Sequence, residues 1–172
     1  MAYLMKHLRA MMLAATIAMA SGCTGGYSFT GASIPPGAKT ISVKTFPNYA
    51  PTVNPQLSQK LTDELRNMFS SQTSLSVANS DGDLQIEGEI TGYATRASSL
   101  SSTDEVSMNR LTVTIKVRFT NTVNEEANFD QSFSRYRDYN ASRDFSSVES
   151  ALVDEIVTEL CEDVFNKAVV NW

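Results

Sequence analysis

The run Asn109-Arg110-Leu111-Thr112-Val113-Thr114-Ile115-Lys116-Val117-Arg118-Phe119-Thr120 alternates without a break. Leu111, Val113, Ile115, Val117 and Phe119 fall on one side of an extended chain, and Arg110, Thr112, Thr114, Lys116, Arg118 and Thr120 on the other. Successive side chains of a strand point to opposite faces, so this is a central strand with one buried and one solvated side. A sheet that is apolar on one side needs a second layer over that side, and this decides the fold class.

The second layer is legible on both flanks. At Asn54-Pro55 the Asn side chain caps free amides and the Pro loses no helical hydrogen bond, so a helix starts there. Leu57, Leu61, Leu65, Met68 and Phe69 give it one apolar stripe, opposite Gln59, Asp63, Arg66 and Asn67. Ser146-Ser147-Val148-Glu149 has capping-box spacing and predicts the start of a long terminal helix. Its stripe runs Val148, Leu152, Ile156, Leu160, Val164, Ala168, with Asp154, Glu155, Glu159, Glu162 and Asp163 toward water.

The remaining strands are shorter or less regular. Ile41 and Val43 mark a first strand within Lys39–Phe46, and Leu75 and Val77 a brief second one. Asn79-Ser80-Asp81-Gly82 predicts a turn with Gly82 at positive φ. Asp81-Gly82-Asp83 lacks the ligand spacing of a calcium loop. Beyond it, Leu84, Ile86, Gly88, Ile90, Gly92 and Ala94 share an apolar face, and Gln85, Glu87, Glu89, Thr91 and Tyr93 share the polar one. The small residues of the apolar face are expected to admit a helix backbone. Ala97–Glu105 is Ser-rich and predicts a long exposed loop. Phe129–Tyr139 is the last strand, carrying Phe133, Tyr136, Arg135 and Arg137. The first two strands, joined through a helix, are parallel, and the later ones form a meander. The expected fold is α/β (α+β): a two-layer sandwich with a mixed sheet of four to five strands and both amphipathic helices on one face.

The amino terminus carries an export signal. Lys6, His7 and Arg9 precede an uncharged apolar run from Ala10 to Ala20, and Ser21-Gly22-Cys23 closes it. That run spans about 16 Å as a helix against a hydrocarbon core of roughly 30 Å, too short to cross. Small residues before a Cys fit a lipoprotein peptidase, although Ala20 stands where Leu is commoner. The expected organisation is a signal at 1–22, a lipidated Cys23 heading a Gly-, Ser- and Pro-rich tether at 23–38, and one domain at 39–172. Tyr27 and Phe29 are the large apolar groups of the tether and are expected to dock on the domain. Gly26-Tyr27-Ser28-Phe29-Thr30 lacks the second Gly of a hydrolase elbow.

Losing Lys6, Arg9 and His7 leaves 12 cations against 19 acids and no histidine. Imidazole metal sites and Ser-His or Cys-His catalysis are thereby excluded, and no cofactor is expected. An acidic chain does not suit nucleic acid, which needs clustered Lys and Arg. Cys161 has no partner for a disulfide once Cys23 carries lipid, and reads as a small buried hydrophobe.

Cys23 with Gly26-Tyr27-Ser28-Phe29, then Lys39-Thr40-Ile41-Ser42-Val43, Phe46-Pro47-Asn48, Asn54-Pro55-Gln56-Leu57-Ser58 and Leu84-Gln85-Ile86-Glu87-Gly88-Glu89-Ile90 together resemble the lipopolysaccharide-assembly lipoproteins called LptE. Asn109-Arg110-Leu111-Thr112-Val113 and Gln131-Ser132-Phe133-Ser134-Arg135 fit the same family. The resemblance implies a non-enzymatic lipoprotein on the periplasmic side of the outer membrane. It also implies a plug in the β-barrel translocon LptD that helps deliver lipopolysaccharide. The family's glycolipid-binding positions are not carried over onto this chain.

The residues themselves nominate a site. Arg110, Lys116 and Arg118 line one strand face, with Arg135 and Arg137 on the neighbouring strand and Arg96 at the loop edge. Such cations offer contacts to the phosphates of a glycolipid or to the barrel. The competing expectation is cross-strand pairing with Glu87 and Glu89, which face them. Those two acids have the spacing of some glycosidase pairs but no apolar pocket to separate their pKa values. A second rival is an envelope scaffold that binds a protein by strand addition. Thr24 is not the Asp that commonly retains lipoproteins at the inner membrane, and no acidic run follows Cys23. A multiply acylated Cys23 would hold the chain stably on the membrane.

Overall fold

The structure, a computed structural model, describes residues 34–100 and 106–170. Cys23, Tyr27, Phe29 and Trp172 lie outside the described residues. The order is β1 (Thr40–Val43), α1 (Leu57–Gln72), β2 (Ser76–Ala78), β3 (Leu84–Leu100), β4 (Val106–Asn121), β5 (Phe129–Asn140) and α2 (Phe145–Val169), with a 3-10 turn at Glu125–Ala127. The five strands form one sheet in the order β2-β1-β3-β4-β5. β1 runs parallel to both β2 and β3, and β3, β4 and β5 are antiparallel neighbours. The mixed sheet and its two helices are the α+β arrangement expected.

Both helices lie on the apolar face and against each other, with Phe69 of α1 and Phe165 of α2 at 5.0 Å between ring centroids. Asn54 caps the turn that leads into α1 rather than the helix itself: Oδ1 accepts from Gln56 N (2.9 Å) and Leu57 N (3.2 Å), and α1 starts two residues after Pro55, behind Gln56, whose side chain makes no cap bond. Phe46 is pinned to the same helix, since its N–H donates to Thr62 Oγ1 (3.2 Å) and its carbonyl accepts from Ser58 Oγ (2.5 Å). α2 buries more than the stripe read from its sequence. Wedged between sheet and α1, it also hides Val153, Val157, Cys161, Phe165 and Val169. Each such side chain removed from water contributes about 1.5–3 kcal/mol. Cys161 sits fully inside, where burial pushes its thiol well above the ordinary value.

Three expectations about the strands are corrected. The turn expected at 79–82 does not join neighbouring strands; residues 79–83 pass over β1, which lies between β2 and β3. Ala78 sits beside Ser42 and Leu84 beside Ile41, so five residues suffice. Gly82 N donates to Ser42 Oγ (3.3 Å) and Asp83 N to Thr40 Oγ1 (2.9 Å). This strap leaves Ser42 only 3% exposed. The positive φ belongs to Asp81 (53°), while Gly82 is needed for close approach to the β1 backbone.

The second correction is in β3. Ile90 faces Ile115 and Gly92 faces Thr114, so Thr91 is an extra residue, a bulge that reverses the alternation beyond it. Tyr93 therefore enters the core (4% exposed), and Gly92 and Ala94 pass to the open face. Upstream, Gly88 admits the ring of Phe46 rather than a helix backbone. Third, the Ser-rich segment is strand as far as Leu100, because β3 and β4 continue as a long hairpin. Residues 101–105 of that predicted loop lie outside the described residues.

Candidate functional site

The face of β3, β4 and β5 turned away from the helices carries the nominated cations. Register sets Glu87 opposite Arg118 and Glu89 opposite Lys116, with Asp130 beyond Arg118 on β5. Glu87, Gly88, Glu89, Lys116, Arg118 and Asp130 line a shallow cleft of about 230 Å³.

The pairing inside it differs from the expected one. Glu87 bonds to Lys44, at the end of β1. Lys116 Nζ and Arg118 Nη2 both reach Asp130, at 3.4 and 3.2 Å. Partial desolvation works to raise the Asp130 carboxyl, but the bonds from Arg118 and Lys116 outweigh it and hold it below the usual carboxylate range. Glu89 makes no ion pair among the described residues.

Further along the same face, Thr114 and Ser134 hydroxyls meet at 3.0 Å. Arg110 then grips Asp138 with two bonds (2.8 and 2.9 Å) and lies 3.7 Å over the Tyr136 ring. Arg96 stands opposite Arg110, placed on the open face by the bulge. Lys116, Arg118, Arg110 and Arg96 thus share one surface. Lys44, Asp130, Tyr136 and Asp138 belong to it as well, and single-strand alternation does not show them.

Arg135 and Arg137 do not join it. They pair with Val113 and Leu111, residues of the buried face, and so point to the helix layer. Arg135 holds Asp163 with two bonds (2.5 and 2.6 Å), and Arg137 holds Glu159 and Glu155. These acids of α2 therefore face arginines rather than water alone. Lys60 of α1 likewise takes Asp154. The predicted capping box is also unused. Glu149 instead accepts from Tyr93 Oη and from Asn54 Nδ2 (2.8 Å), tying the starts of both helices to β3. α2 begins a residue earlier than that box, after Asp144.

The family model described as LptE, lipopolysaccharide-assembly, matches residues 38–168. Among solved structures, the fold is similar to a minor lipoprotein from Acinetobacter baumannii (14% identity, 76% of this chain and 91% of that one, TM-score 0.51). It is also similar to an uncharacterized lipoprotein B from Nitrosomonas europaea (14%, 79% and 83%, TM-score 0.51). Rare lipoprotein B from Shewanella oneidensis is a third (14%, 74% and 92%, TM-score 0.52). At such identity these likenesses show the fold alone. No curated protein matches the chain in sequence. The family match spans most of the chain, with the strap, the long hairpin, α1 and all but the last residue of α2 inside it, and the protein belongs to the LptE lipopolysaccharide-assembly family, a non-enzymatic lipoprotein family.

Proposed function

We propose that this protein is a lipoprotein of the outer membrane, anchored on the periplasmic side through Cys23, that plugs an LptD-type β-barrel translocon. In that place it assists the barrel's assembly and the passage of lipopolysaccharide to the cell surface. The observation that carries the proposal is the open face of β3, β4 and β5. It is polar from Glu87 to Arg110, and most of its charges are balanced within the protein. A barrel lumen is polar and wet, so such a face fits there and does not fit lipid. Lys116 and Arg118, which share one carboxylate, are the proposed contacts to lipopolysaccharide phosphates or to the barrel wall.

The test is detergent co-purification of the full chain with an LptD-type barrel. A stable complex is expected, and a barrel that assembles and purifies without the chain refutes the plug. Cys23→Ala is expected to release the chain from washed membranes, and retention refutes the anchor. Reversing both Lys116 and Arg118 to Glu is expected to weaken lipopolysaccharide binding or barrel assembly. If both remain unchanged, the cleft is not the contact.

A further inference from the structure

β5 closes one side of the sheet, with no strand beyond it among the described residues. Which of its backbone groups face outward follows from the ladder. Lys44 N donates to Ile86 O and Ile90 N to Pro47 O (both 2.9 Å), so these even residues of β3 turn their amides toward β1 and its continuation. In a strand the N–H and C=O of one residue point the same way, so the odd residues Glu87 and Glu89 bond to Arg118 and Lys116 of β4. The odd residues of β4 then bond to Gln131, Phe133 and Arg135 of β5. Asp130, Ser132, Ser134, Tyr136 and Asp138 consequently aim their amides and carbonyls away from the sheet. Among the described residues, one bond reaches that row, from Arg137 Nη1 to Tyr136 O (3.0 Å).

A long free edge is ordinarily guarded by charges that repel an approaching strand. Here each charged side chain of the twelve-residue β5 is drawn back into its own fold. Asp130 is held by Lys116 and Arg118, Arg135 by Asp163, Arg137 by Glu155 and Glu159, and Asp138 by Arg110. The opposite edge, β2, offers only three residues. Beside β5 a groove of about 470 Å³ runs along α2, lined by Phe133, Asn166 and Lys167 among others. Lys167 has no carboxylate partner among the described residues, and its ammonium lies 6.0 Å from the centre of the Phe129 ring.

We propose that β5 accepts an extended segment of a partner protein as a sixth strand, with apolar side chains turned toward Phe133 and a carboxylate reaching Lys167. The backbone row selects a strand, the half-buried ring selects apolar side chains on one face of it, and the cation selects the acid. None of this rests on the barrel proposal.

The probe is a short synthetic peptide of alternating Val and Thr ending in Glu, titrated against the full chain in detergent while amide exchange is followed. Exchange at Ser132, Ser134 and Tyr136 is expected to slow by about tenfold or more on binding. The same peptide methylated on the nitrogens that must donate is expected not to bind. Ser132→Pro with Ser134→Pro, for which Ser134→Ala is the control for the lost hydroxyl contact with Thr114 (3.0 Å), removes two outward N–H groups and no backbone bond to β4, a placement that edge strands tolerate. Peptide affinity is expected to fall by about tenfold or more. If that variant does not fold, the methylated peptide carries the same test. Unchanged exchange at saturating peptide, or equal binding of the methylated form, overturns the proposal. Protection of these amides in the chain alone, by its own residues or by a second copy, also overturns it.

Discussion

Replacing Gly82 by Ala is expected to destabilise this fold about as much as truncating a large core side chain. The strap over β1 touches it at this residue, and a Cβ built there lies 2.6 Å from Ser42 N and 2.8 Å from both Ile41 C and Leu84 O. All three are backbone atoms, so no side chain can swing aside. Relief requires lifting the strap, which breaks the bonds from Gly82 N to Ser42 Oγ and from Asp83 N to Thr40 Oγ1. Overpacking costs about 1–3 kcal/mol, and the two bonds add about 1 kcal/mol each. The expected loss is therefore about 3–5 kcal/mol, a large part of a typical stability of about 5–15 kcal/mol. For a domain of this size, that lowers Tm by roughly 10 °C. Thermal and urea unfolding of the full chain in detergent, followed by circular dichroism, measures it. The paired control is Asp81→Gly, at the residue with φ of 53°. It relieves a left-handed Asp while adding unfolded-state entropy, so its net effect stays within about 1 kcal/mol. A Gly82→Ala change that costs under about 1 kcal/mol, or no more than Asp81→Gly, refutes the strap as described.

Gly88→Ala is expected to cost about 2–3 kcal/mol, because its Cβ meets the Phe46 ring and lies 2.5 Å from Lys116 O. Adding Phe46→Leu should recover part of this in a double-mutant cycle, and strict additivity counts against the contact. Tyr93→Phe removes the hydroxyl bonded to Glu149 and is expected to cost about 1–2 kcal/mol in urea unfolding; no change means that this link carries no stability. The Asp83 carboxylate accepts from Lys39 N (2.8 Å), Thr40 Oγ1 (2.8 Å) and Thr40 N (2.9 Å). The bond from Lys39 N, then those from Thr40, hold its pKa below the ordinary value. Its stabilisation is therefore full above the unfolded carboxylate value of about 3.9, and is lost as pH falls through the lower folded value. Asp83→Asn is expected to flatten that acid limb of a stability-against-pH curve, and an unchanged limb contradicts it.

The stripes of α1 and α2 and the alternation of β4 were legible because burial is one-sided there, and one-sided burial writes its period into the chain. β3 was legible only to Ile90. Counting by twos cannot register an inserted residue, so beyond Thr91 every side chain was assigned to the wrong face. A Tyr grouped with the charged residues while Gly and Ala took the core was the sign that the count had slipped. The strap was hidden for a different reason. A turn sequence specifies local backbone angles, whereas which strand the chain lands beside depends on long-range pairing.

The open-face cluster was legible in part, and the misplacement of Arg135 and Arg137 has a cause that is itself written in the sequence. β5 mixes Gln131, Arg135 and Arg137 with Phe129, Phe133 and Tyr139 on the helix side, against Asp130, Ser132 and Ser134 on the other, so its charges blur the alternation that its aromatic residues carry. The terminal helix supplies the missing signal. Glu155, Glu159 and Asp163 repeat every four residues, a rise of about 6 Å, close to the rise of about 6.6 Å across two strand residues. Arginines two apart on a strand therefore meet acids four apart on a helix, as Arg135 meets Asp163 and Arg137 meets Glu159. Cations held in this way brace the two layers and are taken out of the open surface. Beside the cleft, Lys116 and Arg118 share one bonded carboxylate, Asp130, with Glu87 held by Lys44 and Glu89 as the other acids of the lining. An incoming phosphate therefore displaces a shared acid rather than a dedicated bidentate partner. That difference in pairing, and not the number of arginines on neighbouring strands, is the physical ground for proposing Lys116 and Arg118 as the glycolipid or barrel contacts while Arg135 and Arg137 brace the two layers.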